Sequence, residues 1–137
     1  MKSKFSGFTL IELVIVIGIL GVLVAVVISV LNPARFLGKG RDAKRQSDLK
    51  LVQTALEGYY SENNSYPADG AFSFGAEWSG YMKMVPQDTT AGQSYCYSLQ
   101  DGGQGYLLCA LSEVGISGGE AGNCGGVDYD YCLENPF

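Results

Sequence analysis

From Phe8 to Leu31 the only polar side chains are Thr9, Glu12 and Ser29, and Leu13 to Leu31 carries no charge. One membrane crossing needs about 20 such residues. Val and Ile are frequent here and in water favour strands. In hydrocarbon, however, a lone strand leaves its amides and carbonyls unpaired, whereas a helix pairs them internally. The pattern predicts a transmembrane helix over residues 8–31.

Pro33 follows Asn32 at the end of this run. It removes one helical hydrogen bond and pushes Asn32 away from helical geometry, so a kink or short unwound stretch is expected. The period then resumes: Leu49, Val52, Leu56 and Tyr59 recur at spacings of three and four, with Ala55 beside them and Lys50, Gln53 and Glu57 pointing away. This predicts an amphipathic stem helix over residues 32–62. Gly38 and Gly40 weaken it by up to about 1 kcal/mol each relative to Ala, and mark flexibility or close packing. The helix should stop in "SENNSYP", where Asn suits a left-handed terminus and Pro67 cannot continue the turn.

Residues 63–137 read as a globular head. Residues 68–93 form a long loop with a short helical turn in "EWSGYMKMVP", pinned to the stem by Trp78, Tyr81, Met82 and Val85; an edge strand at 81–85 is the alternative. The clearest β signal is "YCYSLQDGGQGYLLCAL", a hairpin near 94–111 turning at Gly102-Gly103. In that register Cys96 faces Cys109, and facing Cα atoms lie about 4.5–5.5 Å apart, within disulfide reach. The favoured pairing is therefore Cys96 with Cys109 and Cys124 with Cys132, the second closing a C-terminal loop. The fold class is α+β: a long N-terminal helix on a small antiparallel sheet, with a disulfide-stabilised head.

Charge is unevenly placed, which the net value of −5 conceals. Residues 35–50 hold six bases, Arg35, Lys39, Arg41, Lys44, Arg45 and Lys50, against Asp42 and Asp48. Beyond Gly58 there are ten acids and one base, Lys83. The basic collar suits anionic lipid headgroups or the acidic heads of neighbouring copies. Direct nucleic acid binding is not expected, because the collar lacks interleaved aromatics and the head would repel phosphate.

Four cysteines in a small Gly-rich head favour disulfides and an oxidising compartment. That places the head outside and Lys2 and Lys4 inside, although the collar competes with them for the cytoplasmic side. A removable secretory signal fits less well. The apolar run exceeds the usual 7–15 residues, and no small-x-small site closes it.

With no histidine in the chain, His-based triads, Cys-His pairs and His metal ligands are excluded. No C-x-x-C pair supports zinc. Asp128 and Asp130, with Glu120, Asn123 or Glu134, are weak calcium candidates; the competing reading makes alternating Asp and Tyr the two faces of a strand. No other cofactor is indicated. Glu12 stands apart. A charge deep in a bilayer costs about 2.5–3.5 kcal/mol on insertion scales and is usually functional and paired, although an acid near the helix end also reaches the headgroups.

The run "KFSGFTLIELVIVIGILGVL" resembles the processing and methylation segment of type IV pilins and the pseudopilins of type II secretion. The likeness extends through "AKRQSDLKLVQTALEGYYSENNSYP" to "MVPQD", about half the chain. It implies a leader over residues 1–7, cut by a membrane prepilin peptidase between Gly7 and Phe8, with Phe8 then N-methylated. It implies that Glu12 pairs with the terminal amine of a neighbouring subunit. Further implied partners are other copies of the chain, an inner-membrane assembly platform, and membrane lipid before assembly. The location implied is the bacterial cytoplasmic membrane, then an extracellular or periplasmic filament. Many members carry a proline about three turns into the mature helix, where this chain has Gly18, Gly21 and Ser29. Filament melting of the stem is then expected nearer Asn32.

The reading is a prepilin polymerised into a type IV pilus. A pseudopilin of secretion or DNA uptake is the alternative, and a non-polymerising, membrane-anchored binding head is the rival of another class. An enzyme is not expected.

Overall fold

The computed structural model describes residues 7–135; Lys2 and Lys4, which the sequence reading assigns to a leader, lie outside them. The described chain divides into two compact units, one ending at Phe36 and the other beginning at Leu37.

In the first unit, helix α1 (Leu10–Val30) buries no side chain and is long and apolar enough to cross a membrane. It runs unbroken through Gly18 and Gly21. Leu31 then turns to extended geometry (φ −79°, ψ 119°) and helix α2 (Pro33–Asn63) begins. The break falls where Pro33 predicts it. Pro33 occupies the first helical position, where a missing N–H costs nothing, and Asn32 Oδ1 accepts the Arg35 amide at 3.2 Å.

In the second unit α2 buries Gly38, Asp42, Arg45, Leu49, Val52 and Leu56. The spacing is strictly four or three, so the buried stripe extends three positions N-terminal of the apolar one. Gly38 is there for close packing: a Cβ would stand 2.5 Å from Val114 Cγ2. Gly40 meets nothing, so the two glycines differ in cause. The helix stops as expected, with Asn64 at φ 53°.

The sheet comprises β1 (Cys96–Gln100), β2 (Gly105–Ala110), β3 (Glu120–Cys124) and β4 (Val127–Glu134), antiparallel in the order β1-β2-β4-β3. Cys96 faces Cys109 as predicted, around a turn in which Asp101, Gly102 and Gly103 all have positive φ. Alternation along β2 creates two cores. Tyr106, Leu108 and Ala110 pack with Leu49, Val52 and Leu56 of α2. Leu107, Cys109 and Leu111 lie on the opposite face with Cys124, Tyr129 and Cys132.

The disulfide pairing corrects the sequence expectation. Cys96 joins Cys124 and Cys109 joins Cys132, an interlaced pattern in place of two consecutive loops. Cys109 lies on a central strand and so has two facing cysteines, Cys96 on β1 and Cys132 on β4. Its bond goes to Cys132, with Cα atoms 4.1 Å apart. The C-terminal segment is a β-hairpin turning at Gly125-Gly126 (φ 62° and 84°), and Cys124 ties it to Cys96.

The segment before β1 also differs from expectation. Trp78 and Met82 exchange backbone bonds of 2.9 and 2.8 Å around Gly80 (φ 87°), a tight turn with an isolated bridge. Neither a helical turn nor an edge strand forms. Glycine supplies the left-handed residue that such a reversal needs. The anchoring holds: Trp78 and Val85 are buried and Trp78 stacks on Tyr59 at 5.8 Å.

Candidate functional site

The first site is the N-terminal turn of α1. Gly7 and Phe8 precede the helix in exposed, non-helical chain. A Cβ at Gly7 would meet nothing within 4 Å, so packing within this chain does not call for glycine there. Thr9 is the N-cap of α1 and forms a reciprocal capping box with Glu12. The Glu12 amide donates to Thr9 Oγ1 at 3.3 Å, while the Thr9 amide and hydroxyl donate to Glu12 Oε2 at 3.0 and 2.8 Å. Both bonds to the carboxylate fall on Oε2, and Oε1 keeps its capacity to accept from another donor. The acid also sits at the positive end of the helix dipole. The spacing Thr9-x-x-Glu12 signals such a box in sequence, and this was the missed clue to how the acid is held.

The second site joins the stem to the head. Arg45 is buried and its guanidinium reaches acceptors on five residues. Its Nε donates to Asp88 at 2.6 Å, and its Nη1 to Asp42 at 2.7 Å. The two N–H groups of its Nη2 are shared among Thr90, Gln93 and Glu113, at 2.7, 2.7 and 2.9 Å. Asp42 in turn accepts the Glu113 and Val114 amides, both at 2.9 Å. Arg41, more exposed, clamps Glu113 with bonds of 2.7 and 2.5 Å.

These contacts set the acidities. Burial alone would raise Asp42, but the two amides and Arg45 hold its carboxyl below the usual range. Burial likewise opposes ionisation of Asp88, and its bonds from Arg45 and the Thr90 amide overcome that. Arg41, and then Arg45, pull Glu113 down to about 2.

The collar is therefore smaller than the sequence count suggests. Arg45 is buried and Arg41 is paired, which leaves Arg35, Lys39, Lys44 and Lys50 as its exposed bases. The signal for Arg45 was available: it lies four residues before Leu49, on the same stripe, and three after an acid.

Asp128 and Asp130 are both exposed on β4, on either side of buried Tyr129. Asp128 accepts from Asn123 Nδ2 at 2.6 Å, whereas Asp130 accepts from the Ser112 amide at 2.7 Å and from its hydroxyl. Among the described residues no three carboxylate, thiolate or imidazole groups converge as a metal site.

A family model described as the prokaryotic N-terminal methylation motif matches residues 2–28. The type II secretion system core protein G of Pseudomonas aeruginosa is 33% identical over 132 residues, covering 86% of this chain and 90% of that protein. The chain belongs to the type IV pilin and pseudopilin family. Core protein G of Aeromonas hydrophila is 33% identical over 102 residues, 74% of this chain and 63% of that protein. The type IV major pilin protein PilA of Myxococcus xanthus is 38% identical over 68 residues, 47% of this chain. The chain thus spans 30% of the Myxococcus protein's length and just under two thirds of the Aeromonas protein's. No solved structure matches it at comparable significance.

Proposed function

We propose that this chain is a structural subunit that polymerises through its N-terminal helix into a pilin-type filament. The observation that carries this is a helix with no buried side chain and an uncharged apolar surface, except for one acid in its first turn. Such a surface requires lipid or other helices around it. In the filament, stems bundle in the core and disulfide-closed heads form the outside.

Prepilin peptidase cuts between Gly7 and Phe8, and the new amine at Phe8 is methylated. Glycine before the cut lets the protease approach the backbone closely. Cleavage makes a cation four residues before Glu12 where none existed. The amine of one subunit then meets the Glu12 of another. A unit pair at 4 Å is worth roughly 1 kcal/mol in water and about 4 at an effective dielectric near 20. Desolvation offsets much of this, so the pair fixes register while the apolar stems supply adhesion.

The primary reading is a type IV pilus. A secretion pseudopilus is favoured by one specific observation, the near full-length similarity to core protein G. Intact mass of the subunit from sheared filaments tests the shared reading. A chain beginning at methylated Phe8 supports it, and a chain retaining Met1 outside any filament fraction overturns it. Long surface filaments at native expression separate the pilus from the pseudopilus.

A further inference from the structure

From Leu37 onward, four large apolar side chains among the described residues are exposed: Leu37, Leu51, Met84 and Val127. Two of them, Leu51 and Met84, line one groove. It has a volume of about 700 Å³ and runs between the Leu51–Gly58 stretch of α2 and the Gly80–Met84 turn. Its floor includes Ala55 and Met82, and Lys83, the only base after Gly58, is its sole charged lining residue. Glu62, the acid beside the turn, accepts from the Tyr81 hydroxyl at 2.8 Å. The groove is thus an apolar slot with a cation at its rim.

Val127 lies elsewhere. It is 48% exposed at the tip of the β3–β4 hairpin, just after the Gly125-Gly126 turn and beside Asp128. The hairpin belongs to the disulfide-bearing core, on the face of the sheet opposite α2. Residues 117–135 contain four acids and no base. It is therefore an apolar knob in an acidic setting, held rigid by Cys96–Cys124.

We propose that the hairpin tip of one copy seats Val127 in the α2–turn groove of the next copy, with Asp128 against Lys83. This rests on the filament reading and adds the head contact to it. Knob and slot are different patches of one chain, and in a polymer where each copy's knob meets the slot of the next the pairing is heterologous. Such contacts propagate into an open helix unless the rotation closes a ring. One such contact is small, and its effect comes from repetition along a polymer whose stems already hold the copies together. Rigid tip and preformed slot limit the ordering cost.

The test places a photo-crosslinking amino acid at Met84, which is exposed, in full-length chain expressed in cells that make filaments. Irradiated filaments should yield a covalent dimer whose crosslink maps by mass spectrometry to residues 124–130 of the other copy. Lys83→Glu should lose most of that dimer, and Asp128→Lys in the same chain should restore it. Intact mass confirms both disulfides in each variant, which separates a lost contact from a misfolded head. Filaments that assemble while Met84 links to another segment, or to none, overturn the head contact and leave the filament reading standing. A wild-type chain that forms no filament overturns both.

Discussion

Arg45 Nε donates to Asp88 Oδ2 at 2.6 Å, across 43 residues of sequence, and both side chains are almost wholly shielded from solvent. This bond ties the stem helix to the loop leading into β1, and Asp42 and Glu113 extend it to the segment after β2. The stem is thereby fastened to the head by charge at one end and by the Leu49, Val52 and Leu56 stripe at the other.

Removing Arg45 leaves buried carboxylates without their counter-charge. Arg45→Ala is expected to cost about 3–5 kcal/mol, as for a buried pair with one partner deleted. Arg41→Ala, which breaks a half-exposed pair, should cost about 1 kcal/mol or less. Urea unfolding of the full chain in detergent measures both. Equal, small losses for the two variants would show that the cluster is not holding the head.

The same cluster sets an acid limit. Glu113 drops from an ordinary value of 4.5 to about 2, and Asp42 and Asp88 are also lowered. A depressed folded-state value means that the unfolded chain takes up protons first as pH falls. The stabilisation is complete above about 4.5 and is lost progressively toward about 2. Stability measured in steps over that window should fall in the wild type and fall less steeply in Glu113→Gln, which starts lower. Identical slopes would remove Glu113 from the account.

The disulfides give a direct chemical readout. Non-reducing peptide maps should show Cys96 with Cys124 and Cys109 with Cys132. The bonds span 28 and 23 residues, and loop closure of that size is worth about 3–4 kcal/mol each in the chain-entropy picture. The double variant Cys109→Ser with Cys132→Ser should lose about that much. A map with Cys96 joined to Cys109 would overturn the interlaced pairing while leaving the β1–β2 register, in which those two cysteines also face each other, intact.

What was legible in the chain followed periodicity. The apolar run, the break at Pro33, the stripe from Leu49 to Tyr59 and the hairpin register each rest on residues close in sequence. Arg45 was hidden because a charge inside a basic run reads as solvated, although its spacing from Leu49 put it on the buried face. The cysteine pairing was hidden for a different reason. It depends on β4 pairing with β2, a contact over more than 20 residues that no local pattern announces. Glu12 was visible as an anomaly, and its partner Thr9 only as part of a family motif.

Thr9 supplies the last prediction. Its amide and hydroxyl hold Glu12 Oε2, and both residues lie after the proposed cut, so processing leaves the box in place. Glu12→Ala should insert and be cleaved normally but fail to enter filaments, since the neighbouring amine has nothing to meet. Thr9→Val keeps the shape and removes the hydroxyl, which costs about 1 kcal/mol as a lost N-cap and frees the carboxylate to rotate. Filament yield should fall, with cleavage unchanged, and Thr9→Ser should recover it because serine caps equally well. The measurement is the ratio of sheared to membrane-held processed subunit. Thr9→Val filaments at wild-type yield would mean that the amine alone positions Glu12, and that the capping box serves only to start the helix.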